Sequence, residues 1–150
     1  MANLQLRSSA FNDNDLMPER LSRLGGNTSP PLTWSAPPEG TAELVLLVED
    51  PDAATPPFLH WLVTGIDPRA SEVSEGQVPA HGREAMNDFG TVGWGGPQPP
   101  KGDNPHRYFF RLYAVDKPLQ LPERVSTAEV HRAVEGHELA SGTLIGTFAR

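Results

Sequence analysis

The chain has no cysteine, which excludes disulfides, thiolate nucleophiles and cysteine-bound metals. It also lacks a long hydrophobic run. The longest uninterrupted apolar stretch is Leu44 to Val48, far short of the roughly 20 residues that a membrane-spanning helix needs. No basic stretch followed by an apolar core opens the sequence, so no secretory signal is visible and a cytoplasmic location is expected. Positive charge is scarce: 12 Lys and Arg face 19 Asp and Glu, a net charge of −7. That balance argues against a nucleic-acid surface and against a polybasic membrane patch. It leaves room for a small local anion site, which a few N–H groups can build.

What the chain does have is proline and glycine, 16 and 14 of its 150 residues. This is above average but below the roughly 25–30% that marks low-complexity sequence. These residues punctuate short apolar runs, which predicts a loop-rich, mainly β protein. No repeat and no linker divides it, so residues 1–150 read as one domain. Leu4 to Phe11 alternates weakly and is a candidate first strand. Leu32-Thr33-Trp34 is a short strand, and Glu43 to Glu49 a central one buried on both faces. His60 to Ile66 reads as a strand with His60, Leu62 and Thr64 on one face and Trp61 and Val63 on the other. Residues 67–90 form a polar excursion with one short strand. Arg107 to Val115 is the clearest strand, and Thr143 to Phe148 the last.

One helix is well signalled. Ser126-Thr127-Ala128-Glu129 has capping-box spacing, and Val130, Ala133, Val134 and His137 follow at helical period. Gly136 would then lie inside the helix and Gly142 at its exit. Many short strands and one late helix predict a β-sandwich decorated by a C-terminal helix.

Two Pro/Gly-rich corners stand out, each followed by a histidine at the mouth of an apolar strand. The first is Asp50-Pro51-Asp52-Ala53, then His60-Trp61-Leu62-Val63. The second runs from Gly93 to Gly102, then His106-Arg107-Tyr108. Pro51 keeps Asp50 extended. Asp50 and Asp52 either orient a histidine and pin the loop, or simply cap their own turn. His60 is either a ligand-facing group or a satisfied structural residue. His106 and Tyr108 share one face about 7 Å apart along the strand. They form either a donor pair or a core tyrosine with a rim histidine. Glu84, Asn87 and Asp88 read as solvated, and His131 and His137 as helix surface and packing. The chain has no nucleophile elbow, no Gly-Lys-Ser/Thr phosphate loop and no zinc-protease motif. Two histidines and an aspartate leave a divalent metal as an open alternative.

Taken in order, these segments resemble the phosphatidylethanolamine-binding protein family, which includes the Raf kinase inhibitor protein, and most closely its small prokaryotic branch. The resemblance rests on Ser29-Pro30-Pro31-Leu32-Thr33-Trp34, Asp50-Pro51-Asp52-Ala53, His60-Trp61, Gly93-Trp94-Gly95-Gly96-Pro97 with Pro99-Pro100, His106-Arg107-Tyr108 and Gly146-Thr147-Phe148. It implies a mainly β fold, a large antiparallel β-sandwich with one C-terminal helix and short peripheral helices, and a small pocket for phosphate-like anions. Asp50, His60, His106 and Tyr108 would line that pocket, Gly96 and Pro97 would wall it, and Asp52 would brace the loop. Ala54 and Thr55 stand before Pro56 where the family has proline directly, so this loop is expected to differ in shape.

The resulting expectation is a bacterial, non-enzymatic protein that binds a small anion or phosphorylated head group. It needs no cofactor and no metal. His60 and His106 are expected to donate N–H groups to the anion, with affinity falling as pH rises through the histidine range. A homodimer and a protein partner are further expectations from the relatives. The alternatives are a hydrolase or metal-dependent enzyme using His60 or His106, or an inhibitor-like protein that docks a protease or kinase through its loops.

Overall fold

The computed structural model describes residues 2–150. In chain order they form strands β1 (Ala2–Asn3), β2 (Leu6–Arg7), β3 (Asp15–Leu16), β4 (Leu32–Trp34), β5 (Glu43–Asp50), β6 (Phe58–Ile66), β7 (Glu72–Val73), β8 (Arg83–Glu84) and β9 (His106–Val115), helix α1 (Thr127–Val134) and strand β10 (Glu138–Phe148). Seven strands make the larger sheet, in the order β1-β10-β9-β5-β6-β8, with β3 also on β10. β2, β4 and β7 make the smaller one. The long strands pair antiparallel, but β1 and β3 both run parallel to β10, one near each end.

The apolar run Leu44 to Val48 explains the layering. Every residue of β5 is buried, and its two parities feed two cores. Leu44, Leu46 and Val48 pack with Trp61, Phe110 and Leu112 against Leu6, Leu32 and Trp34 of the smaller sheet. Val45 and Leu47 face the other way, onto Leu62, Tyr113, Val130 and Val134. The helix thus covers the outer face of the larger sheet. Glu49 pins it there: its Oε2 accepts from Arg111 Nε at 2.9 Å and lies 2.8 Å from His131 Nε2.

Several boundaries differ from the sequence reading. Residues 4–11 do not form one strand: the chain leaves β10 after β1 and joins β4 at β2. The 67–90 excursion holds two short strands, β7 and β8. The capping box at Ser126 and Glu129 forms, but α1 stops at Val134. Gly136 adopts φ +81° just beyond the end, the left-handed conformation glycine takes at helix exits. His137 is therefore outside the helix and contacts Asp116 at 3.0 Å. Gly142 lies inside β10, where a Cβ would run into the Leu4 carbonyl. Its role is close approach: Leu4 N–H donates to Ser141 O at 2.8 Å as the chain crosses the sheet. The expected peripheral helices reduce to a 3-10 turn at Glu19–Leu21.

Gly142→Ala should consequently destabilise the protein by about 1–3 kcal/mol through overpacking. Urea unfolding should report a lower midpoint at an unchanged slope. An unchanged midpoint would contradict the close approach of residue 4 to β10.

Candidate functional site

β5 ends at Asp50 and β9, its antiparallel neighbour, begins at His106. The two corners noted in the sequence therefore meet at one end of the larger sheet. Alternation along β9 places His106 and Tyr108 on the same face as Phe110 and Leu112, toward the smaller sheet.

His60 joins them through a β-bulge. In the β5–β6 pair Val48 lies opposite Trp61 and Glu49 opposite Leu59, so His60 is the extra residue. The bulge breaks the alternation expected for this strand. Leu59 and Leu62 pack in the helix-side core, Trp61 and Val63 between the sheets. The His60 ring meets Tyr108 edge-on at 5.1 Å, so it does not share a face with Leu62 and Thr64.

A bulge leaves backbone groups without sheet partners, and the loop at residues 87–95 supplies them. His60 O accepts from Gly95 N–H at 2.9 Å, while His60 Nδ1 lies 2.6 Å from Gly95 O. Leu59 N–H donates to Asp88 Oδ2 at 2.7 Å. The loop is organised by Asn87, buried at 3% exposure. Its amide donates to Gly93 O and Thr91 Oγ1 and accepts from the N–H groups of Phe89 and Thr91. Glu84 accepts from Trp61 Nε1 at 2.8 Å. Asn87 is thus a buried structural residue, against the expectation that it is solvated, while half-buried Glu84 and exposed Asp88 each make one structural contact.

These elements enclose a cavity of about 80 Å³ lined by Asp50, Phe58, His60, His106 and Tyr108. Phe89, Ala53, Ala54, Gln98, Pro99 and Pro100 complete its lining. The resemblance implied walls at Gly96 and Pro97. Instead, the lining begins one residue later, at Gln98. Gly96 N–H is bound to Asn27 Oδ1 at 2.8 Å, and Pro97 O accepts from Arg23 N–H at 3.0 Å. Asp52 also lies off the cavity. It accepts from Arg107 backbone and guanidinium at 2.9–3.0 Å, which braces the loop. Phe58, Phe89 and Gln98 were missed by sequence reasoning. Arg23 supports two of them, sitting 4.0 Å over the Phe89 ring and donating to Gln98 Oε1 at 3.0 Å.

The two histidines are driven in opposite directions. A carbonyl only accepts, so His60 Nδ1 carries a proton for Gly95 O. Burial among Phe58, Phe89 and Tyr108 pushes its pKa down to about 4, against the carbonyl bonds. His60 is therefore neutral near pH 7 and its Nε2 is a lone-pair acceptor. The unliganded site therefore offers an acceptor at Nε2, where the sequence reading expected a donor. His106 Nδ1 lies 2.8 Å from Asp50 Oδ2 and Nε2 lies 3.1 Å from Asp103 Oδ2. Both contacts need a proton on the ring. Burial disfavours that charge, but the Asp50 and Asp103 bonds outweigh it and raise the pKa. Burial raises Asp50 and holds the Tyr108 phenol far above its usual range. Among the described residues, neither the Tyr108 hydroxyl nor His60 Nε2 has a hydrogen-bond partner. No three His, Asp or Glu side chains among them converge as metal ligands would.

The depressed His60 pKa has a stability consequence. The folded protein binds fewer protons here than the unfolded chain between about pH 4 and 6.5. The contribution is complete above the unfolded pKa and is lost as pH falls through this window. A shift of that size corresponds to roughly 3 kcal/mol. Unfolding free energies of wild type and His60→Gln, compared from pH 4 to 7, should show a steeper acid loss in wild type. Parallel pH profiles would contradict a neutral, buried His60.

A family model described as "Phosphatidylethanolamine-binding protein" matches residues 7–149. A UPF0098 protein of Methanothermobacter thermautotrophicus is 40% identical over 98% of this chain and 99% of its own length. Among solved structures, YbcL of Escherichia coli, described as a member of the mammalian PEBP family, superposes with a TM-score of 0.91. It is 30% identical over 99% of each chain. A phosphatidylethanolamine-binding protein homolog from Chlamydia trachomatis gives a TM-score of 0.88 at 34% identity, over 100% of this chain and 99% of the other. With the sandwich, the cavity at the strand ends and a match along almost its full length, the chain belongs to the phosphatidylethanolamine-binding protein family.

Proposed function

We propose that this chain is a non-enzymatic binding protein whose cavity takes one small phosphate-like group, free or as part of a phosphorylated head group. The observation that carries the reading is the pairing of unlike hydrogen-bonding groups around one small space. Tyr108 stays a phenol at any physiological pH and offers an O–H. Asp50 and Asp103 favour the charged form of His106 on the wall. His60 Nε2 offers only a lone pair. Such a set suits a ligand that both accepts and donates: a phosphate that keeps one proton, or a zwitterion with an ammonium group. Asp50, on the same wall, works against a fully ionised anion.

Size supports the same reading. About 80 Å³ holds a few waters or one compact polar group, with any tail left outside. A hydrolase has less support. Among the described residues no serine, threonine or lysine lines the cavity, and His60, with a pKa of about 4, is a weak general base at neutral pH.

The test is thermal stability against ligand concentration, with inorganic phosphate, phosphoethanolamine and ethanolamine in separate arms. A ligand that binds only the folded state raises the melting temperature as its concentration passes Kd. Phosphate and phosphoethanolamine should give saturable shifts, larger at pH 6 than at pH 8, because His106 loses its charge as pH rises. Tyr108→Phe, which keeps the packing, should weaken both by about tenfold in Kd. A shift with ethanolamine alone, or none with any probe, would overturn the proposal.

A further inference from the structure

The cavity described above presents a conflict. With Asp50 and Asp103 both on His106, two carboxylates share one imidazolium, and the cluster carries net negative charge. An anion entering beside it is repelled, and the outward N–H of His106 is already taken. Asp103 resolves this, because its position differs from that of Asp50 in every respect that governs exchange.

Asp50 is buried and doubly engaged: one carboxylate oxygen binds His106, and the other accepts from Asp52 N–H at 2.7 Å. Asp103 is held by far less. Its side chain is 48% exposed, against 7% for His106. It sits in an exposed five-residue turn, 101–105, between Pro100 and His106. Two backbone bonds tie that turn down: Asp103 N–H to Pro100 O at 3.1 Å, and Gly102 N–H to Arg150 O at 3.4 Å. Gly102 turns the chain at φ +90°, a conformation that residues with a Cβ rarely adopt. When the Asp103 carboxylate leaves His106 it returns to water, so releasing it carries little desolvation cost. Asp103 reaches the ring from a shallow groove shared with Asp52, Asn104 and Arg107, and His106 lines both this groove and the cavity.

We infer that Asp103 is a built-in competitor for the ligand. Its carboxylate occupies on His106 Nε2 the position that a phosphate oxygen takes in the complex, and binding swaps one anion for the other. This rests on the proposed reading of the cavity and adds the residue that sets its affinity and selectivity. Asp50 remains bound throughout, keeping the ring oriented and charged. A swap of this kind favours ligands that outbid an exposed carboxylate, which means phosphate-type groups with several acceptor oxygens over simple carboxylates.

The experiment is a calorimetric titration of inorganic phosphate into wild type, Asp103→Asn and the double variant Asp103→Asn/Asn104→Asp. The double variant keeps the charge of the turn but moves it off His106. Unliganded melting curves first establish that each variant is folded, as expected for changes in an exposed turn. Asp103→Asn should bind phosphate about five- to tenfold more tightly than wild type. The double variant should retain most of that gain. If it returns to the wild-type Kd, the gain is bulk charge and the competition is refuted. Equal affinities in all three proteins would also refute it, leaving the cavity's anion site standing. No phosphate binding by any of the three would instead bring down the reading of the cavity itself.

Discussion

The site depends on one buried hydrogen bond, Asp50 to His106 at 2.8 Å. A carboxylate with almost no solvent exposure cannot stay ionised alone. Breaking such a pair by removing one partner costs about 3–5 kcal/mol. The bond ties the last residue of β5 to the first of β9, where the ladder has run out. From it the two corners become one structure. The free oxygen of Asp50 holds Asp52 N–H, Asp52 holds Arg107, and Arg107 follows His106 in the chain. The loop closes on itself, and its interior face becomes the rim of the cavity.

The second constraint is the extra residue in β6. Without the bulge, His60 would point with Leu62 toward the helix. With it, the ring turns to Tyr108, and the backbone groups it frees must find partners. Gly95 satisfies both the carbonyl and the ring, which fixes the 93–96 glycines where they are. Gly95 and Gly96 have no room for a Cβ, which would strike Phe89 in one case and the Leu21 carbonyl in the other. The glycines noted in the sequence are thus needed for loop packing, and the cavity wall falls to the next residues, Gln98 to Pro100.

Much of this was legible in advance. The two-faced burial of Leu44 to Val48, the parity of His106 and Tyr108, and the capping box at Ser126 follow from period and residue type alone. The family pattern brought Asp50, His60, His106 and Tyr108 into one group. What escaped has physical causes. A bulge carries no composition signal here, because it depends on the register between two strands distant in sequence from its loop. Asn87 looked polar and therefore solvated, yet its amide makes the backbone bonds of a buried turn. Phe89 sits in a polar stretch with no alternation to mark it, and Phe58 follows Pro56-Pro57, ahead of the strand read from His60. The His60 ring state followed only from knowing that its partner is a carbonyl. Gly136 and Gly142 were both visible, but their roles exchanged: one ends the helix, and the other lets the chain pass.

One pocket thus holds two unlike histidines, His60 neutral with a bare Nε2 and His106 pushed toward its charged form by Asp50 and Asp103. Long-range proton–nitrogen correlation spectra of the imidazole rings, recorded across a pH series, test it directly. The His60 ring should be protonated at Nδ1 alone and unchanged until pH approaches about 4. Both nitrogens of His106 should remain protonated at pH values where an ordinary histidine has already lost its charge. A His60 that titrates near 6.5, or carries its proton on Nε2, would contradict this assignment.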